Sequence, residues 1–240
     1  MRVPRIFTEQ SLAPNSQLQL ESAPSQHIAR ALRMGPGDSL ILFDGSGGEY
    51  PATIQSVDKK SVSVSTAELH DHSVESALRV ELGIAVSRGE RMDWVVQKAT
   101  ELGVHAITPL FTERTEVKLK GDRAAKKLRH WQQVAISACE QCGRNRLPLI
   151  KEFAAIGEWL SDTEAQRKFV LHHRNNARAD GDAPESVALL IGPEGGLSEG
   201  EIEAAQAQGF EALQLGPRVL RTETAPLAAL AILQARWGDM

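Results

Sequence analysis

The chain has 240 residues with 27 Lys and Arg against 31 Asp and Glu, a formal net charge of −4. That balance argues by itself against nucleic acid as a partner, and the length allows one large domain, or a small and a medium one, each able to bury a core. No stretch reaches the roughly 18 to 20 apolar residues of a membrane span, "MRVPRIFTEQ" has no apolar segment of signal-peptide type, and two cysteines cannot build a secreted disulfide framework, so a soluble, cytoplasmic protein is expected.

The charge is unevenly placed. Residues 1–150 carry 19 basic against 17 acidic groups, and residues 151–240 carry 8 against 14. The basic residues are grouped as Arg2 and Arg5, Arg30 and Arg33, a run from Lys118 to Arg129, then Arg144 and Arg146. Such grouping makes either a phosphate-tracking face or a set of ordinary solvated surfaces, and charge alone does not separate the two.

In chain order, residues 1–74 alternate short apolar runs with turn chemistry. "SLILFDGSGGEYPATIQSV" carries "DGSGG", and "KKSVSVSTAEL" alternates Val62 and Val64 with serines. A small β-barrel or sandwich is predicted there. The polar stretch "HDHSVESA" then leads into a second domain, residues 75–240, where strand-like and helix-like segments take turns. "RVELGIAVS" reads as a strand, "ERMDWVVQKATELG" as a helix ended by Gly103, and "HAITPLF" as a strand. "DRAAKKLRHWQQVAISACEQCG" reads as a long amphipathic helix with Leu128, Trp131, Ala135 and Ala138 on one face. "KFVLHH", "VALLIG" and "ALQLG" follow as short strands, the last two flanking the helix "SEGEIEAAQAQG". This alternation predicts a parallel sheet covered by helices on both faces.

Open α/β sheets place ligands at the carboxyl ends of their strands. Three ends are candidates: Leu171-His172-His173, Ile191 to Gly196, and Leu215 to Thr224. The middle one is best defined, because Ser198 and Glu201 form an S-x-x-E capping box and Gly209 can close the helix. Gly192, Gly195 and Gly196 allow close backbone approach, and Pro193 stiffens the turn. No lysine follows "IGPEGG", no Walker run exists in the chain, and "AVSRGERMD" after the first strand of the domain lacks G-x-G-x-x-G. The loop is therefore not a nucleotide-phosphate cradle, and a tight turn without a ligand is its alternative reading. "LGPRVLRTETAPLAALAIL" repeats the design, with Pro226 tolerated in a first turn and Thr222 or Thr224 able to cap. Ala225 to Leu233 carries no charge, so that helix belongs in a core or against another subunit. Cys139 and Cys142 form a C-x-x-C late in a helical pattern. With no second pair to complete a metal site they read as helical thiols rather than a redox or zinc site, and no metal is expected.

Together, "RVPRIF", "TELGVHAITPLFTERTEVK", "CEQCGRNRLP", "IGPEGGLSEGEI" and "LGPRVLRTETAP" resemble the bacterial ribosomal RNA small subunit methyltransferase E family, of the SPOUT superfamily of knotted methyltransferases. The resemblance runs from residue 2 to about residue 237, with Cys142 departing from a small polar residue and Thr115 as another departure. It implies an α/β fold: a SPOUT-type, trefoil-knotted domain with a parallel sheet (75–240), preceded by a PUA-like β-barrel of RNA-binding type (1–74). The implied activity is S-adenosylmethionine-dependent methylation of N3 of uridine 1498 in 16S ribosomal RNA of the small subunit. Its rivals are a knotted methyltransferase acting on a ribose hydroxyl or a transfer RNA base, and a non-catalytic ribosomal-RNA-binding module. Carry-over places the cofactor among Leu171, His172, Ile191, Gly192, Gly195, Gly196, Leu215, Gly216, Leu220, Thr222, Thr224 and Ala225. It also implies a homodimer through the final helix.

Uridine N3 carries a proton at neutral pH, which must leave as the methyl group arrives. Arg221 is the candidate to stabilise the uridinate, with Glu223 or Glu194 accepting the proton or orienting the base. Arg221 could instead anchor a phosphate, and Glu194 could hold loop N–H groups at the helix start. Arg2, Arg5, Arg30, Arg33, Lys98, Arg114 and Arg144 are the candidate RNA contacts, and reaching N3 in structured RNA requires an unstacked or flipped base.

Overall fold

The computed structural model describes residues 3–59, 61–117, 119–171 and 179–240. Arg2, His172 and His173 lie outside the described residues. The chain divides into two compact units, one of Met1–Glu75 with Cys139–Leu147 and one of Ser76–Ala138 with Pro148–Met240.

The first unit is built on a five-stranded mixed sheet. Strands β1 (Arg5–Phe7), β2 (Gln17–Gln19), β3 (Ser39–Phe43), β4 (Tyr50–Val57) and β5 (Val62–Thr66) lie in the order β1-β3-β4-β5-β2. β1 runs parallel to β3, and the other pairs are antiparallel. The alternation of β5 has its expected consequence: Val62 and Val64 are buried with Ile6, Leu40, Leu42 and Ile54. A short helix, α1 (Ser22–Gln26), continues into a π-helical turn, His27–Leu32, that buries Ile28 and stops at Arg33 in left-handed backbone. Sequence pattern does not announce this turn, since only one of its side chains is buried and no cap marks it.

Residues 139–147 belong to the first unit through buried polar contacts. The Arg5 guanidinium pairs with Glu49 and donates to the Asn145 side chain, and the Phe7 N–H donates to Glu140 Oε1 at 3.1 Å. Arg144 makes a two-pronged contact to Glu75, at 3.0 Å from Nε and 2.7 Å from Nη2. A single boundary near residue 75 does not contain this return of the chain.

In the second unit, β6 (Arg79–Ala85), β7 (Ala106–Phe111), β8 (Leu149–Ile150), β9 (Ala154–Ala155), β10 (Arg167–Leu171), β11 (Ser186–Ile191) and β12 (Glu211–Leu213) form one sheet. Its order is β12-β10-β11-β6-β7-β8 with β9 also on β7, and every pairing is parallel. The helices are α2 (Arg91–Glu101), α3 (Asp122–Cys142), α4 (Ile156–Asp162), α5 (Glu199–Ala207) and α6 (Ala225–Trp237). Pattern reading predicts all of these strands and helices except β8, β9 and α4.

The apolar run of β11 is buried on both faces, as parallel strands require. Val187, Leu189 and Ile191 join Leu82, Ile84, Val95, Trp131 and Leu230 in one core, while Ala188 and Leu190 join Trp159, Val170 and Phe210 in the other. The period-2 alternation thus divides one strand between two cores. α6 is uncharged up to Arg236 and buries Pro226, Ala229, Leu230, Leu233 and Gln234, leaving Ile232 exposed. Gln234 fixes the helix within its unit, accepting from Ser76 Oγ at 2.7 Å and donating to the Leu102 carbonyl at 3.2 Å.

Gly83, in the middle of β6, leaves the space that the Trp159 ring fills: a Cβ there would lie 2.5 Å from the indole. Because the ring is buried and its indole N–H donates to Glu81 at 3.2 Å, it cannot swing away cheaply. Gly83→Val is expected to destabilise the protein by about 1–3 kcal/mol through overpacking, read as a lower urea midpoint at unchanged slope.

Candidate functional site

Parallel strands put their carboxyl ends on one edge of the sheet, so the segments that follow them meet there. The end of β10, at Leu171, and the segments after β11 and β12 surround a cavity of about 410 Å³. Of the predicted cofactor residues, Leu171, Ile191, Gly192, Gly195, Gly196, Leu215, Gly216, Leu220, Thr222 and Ala225 line it. Thr224 does not, His172 is outside the described residues, and the capping expectation fails for Thr224. Its backbone is already helical and its exposed side chain makes no cap bond, Pro226 in the first turn having no N–H to satisfy.

The 192–197 loop takes its shape from its residues. The Gly196 N–H donates to the Pro193 carbonyl at 2.8 Å, closing a turn in which Gly196 has φ +69°. A Cβ on Gly192 would lie 3.0 Å from both Leu197 Cγ and Leu197 N, a tight contact that Leu197 would have to yield to by a few tenths of an ångström. The predicted capping box is present. Ser198 Oγ accepts from the Glu201 N–H at 3.3 Å, and Glu201 Oε2 accepts from the Ser198 N–H at 2.8 Å. Glu201 Oε1 also accepts from the Glu113 N–H at 2.7 Å, tying the segment after β7 to the start of α5.

A larger cleft, about 1010 Å³, opens beside this pocket where the segments after β6, β7 and β11 meet. Arg114, Glu194 and Gly195 line both spaces. Arg91, in the first turn of α2, pairs with Glu194 and lies 3.8 Å from Glu223. It therefore joins two candidate carboxylates that are far apart in sequence. Burial raises the Glu194 carboxyl, but N–H donation from its own backbone and from Arg88, with the Arg91 guanidinium, more than offsets this and holds it below its usual range. A carboxyl so held stays ionised and engaged with Arg91 and the loop N–H groups, the alternative expected for Glu194 at the helix start. It ties the 192–197 loop to α2. Arg221 is exposed, lines neither space, and its guanidinium makes no hydrogen bond or ion pair among the described residues.

The candidate RNA contacts separate by burial. Arg30 and Arg33 are exposed. Arg5 and Arg144 are not available: their side chains are 7% and 6% exposed and engaged with Glu49 and Glu75, which corrects both. Arg114 is exposed, but its guanidinium donates to the carbonyls of Gly195 at 2.9 Å and Leu197 at 3.3 Å, so it braces the loop. Lys98 donates to Glu101 at 2.8 Å and stands 5.2 Å from the centroid of the Trp94 ring. Cys139 is buried and its thiol is pushed up to about 12 by burial, which leaves it inert as a nucleophile.

Arg88, Arg91, Trp94 and Thr115 are lining residues that pattern reading does not select. The available signal was position, since "AVSRGERMD" follows a strand end as the chosen loops do.

An RNA methyltransferase domain family model matches residues 74–234, and an RNA methyltransferase PUA domain model matches residues 25–66. The ribosomal RNA small subunit methyltransferase E of Buchnera aphidicola subsp. Schizaphis graminum is 36% identical, covering 100% of this chain and 98% of its own. That of Bacillus subtilis is 34% identical over 90% of this chain and 91% of its own. Among solved structures, a putative methyltransferase of Legionella pneumophila in complex with its cofactor SAM superposes with TM-score 0.97 at 42% identity, covering both chains fully. The ribosomal RNA small subunit methyltransferase E of Neisseria gonorrhoeae, bound to S-adenosylmethionine, gives 0.93 at 36% identity, again with full coverage.

A depressed carboxyl contributes stability above its unfolded value, here 4.5, and that contribution is lost as pH falls through the folded value. Glu194→Gln is therefore expected to lower the urea midpoint at pH 7, with the difference from wild type shrinking as pH is taken below about 4.5.

Proposed function

This chain belongs to the ribosomal RNA small subunit methyltransferase E family, and on that premise we propose that it transfers the methyl group of S-adenosylmethionine to N3 of one uridine of 16S ribosomal RNA in the small subunit. The observation that carries the reading is the pocket itself. Three strand ends gather glycines and apolar side chains around it, with Glu194, Glu199, Arg114 and Arg218 at the wall and no lysine among the described residues. That lining suits a sulfonium cofactor, which has no phosphate to neutralise, and Gly192, Gly195, Gly196 and Gly216 offer backbone without side-chain bulk.

Leu171, Leu215 and Leu220 would hold the apolar part of the cofactor, and the backbone from Ile191 to Gly196 its polar groups. Bound there, S-adenosylmethionine supplies an electrophilic methyl group. The remaining work falls to the chain's own residues. Glu223, at the cleft wall, accepts the N3 proton or orients the imide, and Arg91 holds its carboxylate in place. Arg221, two residues earlier and unengaged among the described residues, stabilises the uridinate. Arg30 and Arg33 contact phosphate from the first unit.

The reading extends to architecture and assembly. The second unit is a SPOUT-type domain with a trefoil knot, an inference that rests on the family motifs because threaded connections are very rare. Two copies associate through the uncharged α6, whose Ile232 is left in solvent. The site of action is the cytoplasm, and no helix among the described residues is long and apolar enough to cross a membrane.

Mass spectrometry of digested small-subunit RNA from a deletion strain is expected to show loss of 3-methyluridine. Retention of that nucleoside, or loss of a ribose methylation instead, would reject the assignment. In single-turnover transfer of tritium from S-adenosylmethionine, Arg221→Ala is expected to slow the step roughly a hundredfold at unchanged cofactor affinity. Near-normal transfer would remove its chemical role.

A further inference from the structure

We propose that the cleft after β6, β7 and β11 is the seat of the target base, flipped out of its RNA and stacked on Trp94. The inference rests on the methyltransferase reading and adds a binding site to it. Three observations carry it: where the cleft lies, what its charges are already engaged with, and an indole in solvent.

The cleft shares Arg114, Glu194 and Gly195 with the cofactor pocket, so a group seated in it is one loop away from that pocket. Glu223, the carboxylate assigned to the imide proton, stands on the cleft side only.

Its charges do not invite phosphate. Three arginines face five glutamates, and each arginine is engaged. Arg88 pairs with Glu116, Arg91 with Glu194, and Arg114 donates to loop carbonyls. A lining of net charge −2 repels the RNA backbone while accepting an uncharged base, whose face needs only an apolar surface. Phosphates then remain outside the cleft.

Trp94 supplies that surface. The same unit buries Trp131 and Trp159, but Trp94 is 52% exposed and lines the cleft. It lies one turn beyond Arg91 and one turn before Lys98 on α2, so its ring is flanked by cations along one face of the helix. Any base can stack on such a ring. The choice of base falls to the polar groups around it, Glu223 and Thr115 among them.

The test compares Trp94→Ala and Trp94→Phe in tritium transfer from S-adenosylmethionine to small ribosomal subunits, with cofactor affinity measured separately on the full chain. Trp94→Ala is expected to raise KM for the subunit roughly tenfold to a hundredfold at unchanged cofactor affinity, and Trp94→Phe to recover most of the loss. An unchanged KM in Trp94→Ala would overturn the proposal, as would equal impairment of both variants together with loss of cofactor binding. If the wild-type protein transfers no tritium, the methyltransferase reading fails and the cleft is judged by fluorescence. A quench on adding small-subunit RNA that Trp94→Phe lacks supports the base site, and an equal quench in both proteins rejects it.

Discussion

Everything at the site depends on the parallel alignment of five strands. Because β12, β10, β11, β6 and β7 all run the same way, five carboxyl ends share one edge of the sheet. An antiparallel strand among them would carry its following segment to the opposite edge and leave a gap in the wall. β11 lies in the middle of this order, and the loop after it, through Glu194 and Gly195, lines both the pocket and the cleft. Constraints are concentrated there in few residues: Gly192 packed tightly against Leu197, Gly196 at positive φ, and Ser198 and Glu201 closing the helix start.

The electrostatics follow from the same geometry. A glutamate in a glycine-rich strand-to-helix loop is an oddity only if the loop is meant for phosphate. In the fold, Glu194 faces Arg91 across the shared wall, and Arg91 reaches on toward Glu223. One guanidinium between two carboxylates fixes the loop after β11 and the start of α6 relative to α2. Of the two, Glu194 has the N–H donors and the nearer guanidinium contact, and Glu223 the longer one.

Basic residues show how far composition can mislead. Arg5 and Arg144 sit in the clusters that suggest RNA contact, yet both are buried on carboxylates within the first unit. Removing one partner from such a buried pair typically costs several kcal/mol, because the other charge is left uncompensated. Neither arginine is therefore free to exchange its glutamate for a phosphate, whereas Arg30 and Arg33, in the π-helical turn and at its end, stay in water.

Local periodicity determined much of this protein without any structure. The alternation of β5, the apolar run of β11, the stripe of α3 and the capping box of α5 are each written within a few residues. The three strand ends of the pocket follow from them, and the family motifs sharpened that reading. Strands of two residues such as β8 and β9 carry no period to detect, and the return of residues 139–147 to the first unit leaves no local mark. The pairing of Arg91 with Glu194, the burial of Arg5 and the exposure of Trp94 were decided by tertiary structure alone. A side chain's partners depend on which strands become neighbours and which faces are covered, and that information is distributed over the whole chain.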